Sequence, residues 1–406
     1  MILNYSSLDW KLIGAALGLS LIGVMLIMSA QHHADSIYKQ EYYLRQLLWL
    51  AFALIAFATV VHLPLKLFDF SAYLLYGLAI VLLLLVLVVG TPRMGAYRWF
   101  SFGPINFSPS DFAKIAVLCA VARFLAYTKL PVVNIRRLAI SAPIVLLPAM
   151  LILKQPDLGT SLVFFVMLFA LWFWSGLSPT YLILILSPMV SLITASHWLA
   201  WSIYIGVLLA FLFYLRLGML FGIYTVVANL AFGAITPFLW GRLADYQKLR
   251  ILTFLDPGRD PRGAGYQIIQ SKIAIGSGGI FGKGLFHGSQ TRLDFLPERH
   301  TDFIFSVLGE EFGLIGAMVV LFLFAVIFYR AVRIAARCRS RFASLIVMGA
   351  ASIIMFQFLV NIGMTLGFMP VTGLPLPFVS YGGTSMVLFW SLIGLIVSAD
   401  YRWQDY

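Results

Sequence analysis

The chain has 406 residues; 61% are hydrophobic, 11% are charged, and Lys plus Arg number 28 against 16 Asp plus Glu, for a net charge of +12. A soluble domain carries about 25% charge, and a water-soluble globule of this composition could not cover itself with polar surface. The numbers exclude an ordinary soluble enzyme, a disordered chain and a disulfide-stapled secreted scaffold, and leave an all-α polytopic membrane protein.

The start, MILNYSSLDWKLIG, lacks the charged segment and small-residue cleavage site of a signal peptide and reads as a tail before a retained helix. Apolar runs follow at about 11–30, 46–62, 72–90, 109–126, 138–153, 157–176, 179–196, 200–215, 218–241, 303–328, 342–364 and 384–399. Spanning helices need about 17–25 residues. Runs such as LAIVLLLLVLVVG lack the alternation of barrel strands. Twelve spans put both termini on one side. The loop 329–341 holds Arg330, Arg333, Arg337, Arg339 and Arg341 without an acid, and 127–137 holds Lys129, Arg136 and Arg137. Lys66 and Arg216 fall on the same side. Basic loops face the cytoplasm, which places both termini there and 31–45, 91–108, 242–302 and 365–383 outside. Topology thus accounts for the excess of base, and no nucleic-acid partner is expected. Cys119 and Cys338 have no local Cys partner for a disulfide or a metal knuckle. Residues 1–406 read as one multi-span domain with a large extracytoplasmic loop, 242–302, inside it.

That loop contains FLDPGRDPRGAGYQIIQSKIAIGSGG from Phe254. Asp256 and Asp260 each precede a proline, and Gly258, Gly263 and Gly265 permit tight turns. A carboxylate held in such a loop could act as a general base; a structural Asp-Pro turn is the plainer alternative. The stretch 266–275 has helical apolar spacing and fits an amphipathic interfacial helix. GSGGIFGKG (276–284) fails the Walker spacing. Its glycines, beside Lys272 and Lys283, fit either a diphosphate contact or a compact loop. DFLPERHTDF (294–303) crowds Asp294, Glu298, Arg299, His300 and Asp302 at the mouth of the next span, and His300 lacks the second histidine of a zinc motif.

Charge also stands within or beside spans. Asp111 and Lys114 are three apart on one helical face and can pair. Asp157 follows Lys154-Gln155-Pro156, and Glu310 and Glu311 interrupt the run 303–328. A charge at a bilayer centre costs about 2.5–3.5 kcal/mol or more, so such residues face a cavity or a partner. Arg98, in GAYRWFSFG, could reach a phosphate or simply snorkel. GLPLPFVSYGGTS (373–385) forces a shaped loop or broken helix before the last span.

Six stretches carry a resemblance over nearly the whole chain: GAYRWF, FSPSDFAK, QPDLGTS, DPRGAGYQIIQSKIAIGSGGIFGKG, FLPERHTDFIFSVLGEEFGLIG and TGLPLPFVSYGGTS. With them the sequence resembles the SEDS proteins (shape, elongation, division and sporulation), which polymerise peptidoglycan. PERHTDF is more similar to the RodA branch than to the FtsW branch, which tends to have Ala where Arg299 stands. The resemblance implies a SEDS-like helical bundle of ten spans. Two of the twelve are then an addition: 222–247 looks like the family span that leads into the catalytic loop, and 179–216 like an inserted helical pair.

The resemblance further implies a glycosyltransferase that uses lipid II during cell elongation. Asp260, directly before PRGAGYQ, matches the catalytic aspartate; Asp256 falls where the family varies. Lys114 and Asp157 match conserved cavity residues, and Asp111 stands where most relatives carry Glu. Arg98, Lys272, Glu298, Arg299, His300, Thr301, Asp302 and Ser380 fall in family motifs around the outer site. On this reading Asp260 takes the proton of a GlcNAc 4-hydroxyl as it attacks a MurNAc C1, with inversion. Arg98, Lys114 and Lys272 offset charge on the diphosphate leaving group, and a divalent cation (Mg or Mn) could help in the same way. No organic cofactor is expected. The implied partners are a class B penicillin-binding protein transpeptidase and other elongation-complex membrane proteins. A lipid II flippase is the main rival, with alternating access around Lys114 and Asp157; a non-catalytic scaffold is the third reading.

Overall fold

A computed structural model describes residues 8–32, 41–93, 96–102, 105–132, 135–216, 218–242, 248–249, 252–253, 256, 258, 264–292 and 298–401. Each of the twelve apolar runs coincides with a helix. These are α1 (Trp10–Gln31), α2 (Tyr42–His62), α3 (Leu65–Val89), α4 (Pro109–Tyr127), α5 (Ile135–Leu153), α6 (Leu158–Trp174), α7 (Pro179–Thr194), α8 (Trp198–Leu215) and α9 (Met219–Arg242), then, after the long loop, α12 (Ile304–Arg337), α13 (Arg341–Thr365) and α14 (Gly383–Tyr401). Among the described residues of the loop, α10 (Ala264–Gly278) and the single turn α11 (Ser289–Arg292) are helical, as are 248–249 and 252–253. Among the described residues, nine helices are long and apolar enough to cross a membrane. Helices α6 and α7 are shorter apolar helices, and α4 carries Asp111, Lys114 and Arg123.

Two boundaries differ from the sequence reading. Helix α12 continues to Arg337, so most of the expected loop 329–341 is helical. Its arginines extend the helix past the apolar window because Arg is a good helix former and a cation suits a helix C-terminus. The segment 91–108, expected outside, is not plain loop. It forms a small antiparallel sheet, β1 (Thr91–Arg93), β2 (Ala96–Phe102) and β3 (Ile105–Phe107), with Thr91 opposite Trp99 and Phe100 opposite Phe107. The ladder satisfies backbone groups of chain lying across the bundle end.

Helices α13 and α14 are the most enclosed of the candidate spans. Helix α14 packs on α2, α13 on α4 and α6, and α1 on α12. Small residues set the close approaches: Gly23 lies against the Val379 backbone, Gly349 against Leu118 and Gly394 against Val60. Such contacts matter in a bilayer, where apolar burial alone does not drive helices together. Helices α7, α8 and α9 are joined by a polar network. Asn229 Nδ2 donates to Ser187 Oγ (2.7 Å), Tyr204 donates to Asn229 Oδ1 (2.8 Å), and Trp201 donates to Ser191 Oγ (2.8 Å).

Ion pairs mark one end of the bundle. Arg330 Nε meets Asp9 at 2.6 Å, Arg123 meets Asp69 at 3.5 Å, and Arg337 pairs with Asp400. They join the starts of α1 and α3 to the ends of α4, α12 and α14, where the basic loops lie. The opposite end carries the sheet, the starts of α2, α4, α6 and α14, and the end of α13.

Helix α12 is broken at Gly313 (φ 60°, ψ −155°), a conformation essentially confined to glycine. Two helical hydrogen bonds are lost, and the glycine loop after α10 fills the gap. Lys283 N–H donates to the Glu310 carbonyl (3.0 Å) and Gly284 N–H to that of Glu311 (2.9 Å). Leu314 N–H donates to Gly279 (3.0 Å) and Ile315 N–H to Ile280 (3.2 Å). A Cβ at Gly278 would overlap the Gly309 carbonyl, and one at Gly282 the Glu311 carbonyl. The GSGGIFGKG glycines are therefore a compact splice of loop into helix, and Lys283 is committed to Glu310 at 2.8 Å rather than offered to a diphosphate.

Candidate active site

Arg98 and Asp157 come together. Asp157 caps α6, its Oδ1 accepting the Thr160 N–H at 3.1 Å. Arg98, on β2, donates from Nε to the Gln155 carbonyl (3.0 Å) and from Nη2 to the Pro156 carbonyl, and its Nη1 lies 3.9 Å from Asp157 Oδ2. The guanidinium thus pins the Gln155-Pro156-Asp157 turn while its side chain stays 36% exposed.

Asp111 and Lys114 pair as the helical spacing predicts. Lys114 Nζ donates to Asp111 Oδ1 at 2.8 Å, and both residues are buried. The second carboxylate oxygen accepts the Thr384 hydroxyl at 2.8 Å, which ties α4 to α14. This cluster borders a cavity of about 270 Å³ between α2, α4 and α14, walled by Trp49, Phe107, Ile115 and Leu388.

The turn 298–303 is the third group. Glu298 sits at φ 50°, and its carbonyl accepts the N–H groups of Thr301 (3.2 Å), Asp302 (3.1 Å) and Phe303 (3.3 Å). A positive φ at a non-glycine residue is strained and persists only where the surroundings hold it. The loop before α14 supplies that hold. Ser380 Oγ donates to the Thr301 carbonyl (2.6 Å) and accepts the Leu376 N–H (2.8 Å). Tyr381 N–H donates to the His300 carbonyl (2.9 Å). The His300 ring packs against Tyr42 and Tyr381, themselves stacked at 4.8 Å. Arg299 is buried beneath. Asp302 offers its carbonyl to Asn361 Nδ2 at 2.9 Å. Within this group Ser380 and the 299–302 backbone are stapled together, while the Glu298 carboxylate is exposed and accepts the Thr301 hydroxyl at 3.1 Å.

Lys272 stands apart on α10. Its side chain lies over Gly367, where a Cβ would collide with it, and it has no polar partner among the described residues. Helix α10 does not lie free on the surface. Ser271 shares a hydrogen bond with Ser306 (2.6 Å) and donates to the Thr365 carbonyl (2.6 Å), so α10 packs into α12 and α13. Asp260, the expected catalytic residue, and Asp294 lie outside the described residues. No group of three or more His, Cys, Asp or Glu placed to share a metal occurs among the described residues, and no residue is assigned to Mg or Mn.

Sequence reasoning missed the residues that hold these groups in place. Thr384 completes the Asp111 cluster. Gln46 clasps the loop, Nε2 donating to the Ser380 carbonyl (3.2 Å) and Oε1 accepting the Gly382 N–H (3.3 Å). Asn361 bridges the Asp302 and Leu374 carbonyls. The available signal was an isolated amide within or beside an apolar run, since such a group must find partners inside protein.

The family model for FtsW/RodA/SpoVE cell cycle proteins matches residues 9–204 and again 189–404. The peptidoglycan glycosyltransferase MrdB of Escherichia coli K12 is 38% identical over 350 residues, covering 86% of this chain and 83% of its own. Among solved structures, a chain from a peptidoglycan synthase complex that coordinates polymerization and crosslinking superposes with a TM-score of 0.73 and 32% identity, covering 98% of this chain and 99% of that one. The Thermus thermophilus rod shape determining protein RodA gives 0.65 and 27%, covering 99% of each.

Proposed function

Because the chain belongs to the FtsW/RodA/SpoVE family, we infer that it is a peptidoglycan glycosyltransferase of the cytoplasmic membrane that polymerises lipid II, with Asp260 as general base. The observation that carries this reading is the gathering of Arg98, Asp157, Lys114 and the 298–303 turn at the bundle end opposite the basic loops. Basic loops face the cytoplasm, so that end is extracytoplasmic and both termini are cytoplasmic. Polyprenyl tails can then stay in lipid while sugars meet the charged end.

In the reaction the acceptor GlcNAc O4 forms a bond to the donor MurNAc C1 as the bond from C1 to the diphosphate breaks, with inversion. The O4 proton passes to Asp260. Undecaprenyl diphosphate leaves as an anion, and Arg98, Lys114 and Lys272 supply cationic stabilisation. Asp260 stands four residues before α10, so the helix that carries Lys272 also follows the base in the chain. A bound Mg or Mn would add charge stabilisation at the same diphosphate. A crosslinking transpeptidase is the natural partner, supported by the likeness to a chain from a synthase complex. Helices α7 and α8 are read as the inserted pair; the two stretches matched by the family model meet at 189–204.

The broken span α12 is a feature that favours a flippase, because transporters use broken helices to coordinate ions. Here both carbonyls and both amides released at the break have partners in the glycine loop, which favours the polymerase. The test is Asp260→Ala in purified protein with lipid II, products resolved on gels. No polymer at an unchanged melting temperature is expected. Normal polymer would refute the general-base assignment, and lipid translocation without polymer by the unaltered protein would establish the rival.

A further inference from the structure

The splice at the break of α12 carries a charge pair that the chemistry above does not use. The Glu310 side chain is 0% exposed. Its Oε1 accepts from Lys283 Nζ (2.8 Å), Ser289 Oγ (3.1 Å) and the Gln290 N–H (3.0 Å). Lys283 also donates to Ser289 Oγ at 2.7 Å. The neighbouring Glu311 reaches the other way, its Oε1 accepting the Ser29 hydroxyl of α1 at 2.5 Å. Ser29 Oγ in turn accepts the Phe286 N–H at 3.0 Å, and the Phe286 ring sits edge-on to His32 at 4.8 Å. The strap 283–290 is therefore held by one buried carboxylate from α12 and by a hydroxyl from α1.

This strap follows α10 and precedes the 298–303 turn in the chain, so it links the helix that carries Lys272 to one of the groups gathered at that end. Burying an ion pair is a poor way to gain stability, because desolvation offsets most of the attraction; its return is a fixed geometry. Three donors converging on one oxygen fix the strap in a single register, where apolar packing would tolerate sliding. We propose that Glu310, acting through Lys283, Ser289 and the Gln290 amide, is a positioning residue for glycosyl transfer: it sets the strap that fixes α10 relative to the outer turn. The inference rests on the polymerase reading.

The test uses the full chain in detergent or nanodiscs, with lipid II kinetics, melting temperature and hydrogen exchange over 283–292. Glu310→Gln keeps an acceptor for Ser289 and Gln290 and removes the ion pair with Lys283. It is expected to lower kcat about tenfold or more with KM within about twofold, and to speed exchange in 283–292. Lys283→Met should match it. Lys283→Arg, which restores the charge, should recover most of kcat. Removing both partners should cost no more than removing one, as expected of groups acting as a unit. A Glu310→Gln protein with the kcat of the unaltered chain, unchanged exchange in the strap, or a Lys283→Arg variant as slow as Lys283→Met would each overturn the proposal. An unaltered chain that makes no polymer would sink the polymerase reading and this inference together; equal rates in an active parent and its Glu310→Gln variant sink the inference alone.

Discussion

Lys114→Met isolates what the buried pair does for stability from what it does for the reaction. Lys114 and Asp111 are 3% and 7% exposed, and among the described residues their 2.8 Å contact is supplemented by Thr384 alone, on the far carboxylate oxygen. Methionine nearly fills the volume of the lysine stem but leaves Asp111 a buried carboxylate with a single hydroxyl donor. Removing one partner of such a pair costs about 3–5 kcal/mol, whereas replacing both with neutral groups is often close to neutral. At about 2–4 °C per kcal/mol, the scale for domains of 150–250 residues, the single variant should melt roughly 6 °C or more below the parent. Asp111→Asn combined with Lys114→Met retains the acceptor for Thr384, buries no charge, and should melt near the parent. Lipid II polymerisation then reports on chemistry. If Lys114 meets the leaving diphosphate, the double variant is stable and slow. A Lys114→Met protein that melts with the parent would refute the energetics, and a stable double variant with full activity would refute the role at the leaving group.

Two further outcomes follow from backbone geometry and from the arginine clamp. Gly282→Ala should sharply lower yield and melting temperature, because Gly282 has φ 80° and a Cβ there would overlap the Glu311 carbonyl. Gly276→Ala, in open space near the end of α10, should be neutral or gain about 0.5–1 kcal/mol; equal melting of the two variants would refute the splice. Arg98→Lys should slow polymerisation about tenfold with little change in melting, because one ammonium cannot reproduce a planar fork that serves two carbonyls and faces Asp157. Full activity in that variant would show that a point charge suffices.

The spans were legible because a bilayer demands long apolar helices: each of the twelve runs became a helix, and among the described residues nine of these are long and apolar enough to cross a membrane. The pairing of Asp111 with Lys114 was legible for the same kind of reason: helical spacing alone brings them together. The sheet at 91–107 was not, since three-residue strands such as β1 and β3 are too short to show a period. Nor was the break in α12. Gly309 and Gly313 flank Glu310 and Glu311 in a continuous apolar run, and only contact with a glycine loop some thirty residues upstream explains why those glycines are needed. The acids at the basic end found their partners far along the chain: Asp9 and Arg330 lie 321 residues apart, and Asp69 and Arg123 lie 54 apart. No local pattern encodes such a contact.

The two ends of the bundle use their scarce charge differently. At the basic end Asp9, Asp69 and Asp400 each meet an arginine, so their charge is spent on joining helices. At the opposite end Lys114 is paired with Asp111 at 2.8 Å, but Arg98 gives two of its contacts to neutral carbonyls and keeps Asp157 at a loose 3.9 Å, and Lys272 has no polar partner among the described residues. Cations left short of close carboxylate partners gain most from an incoming anion, because binding it discharges a cost already met in folding. A lipid-linked diphosphate is such an anion: it carries negative charge on both phosphates while intact and gains a further charge as its glycosidic bond breaks. On the proposed reading, Arg98 and Lys272, held but not neutralised, are therefore the cations to test both for binding of the lipid diphosphate and for its departure.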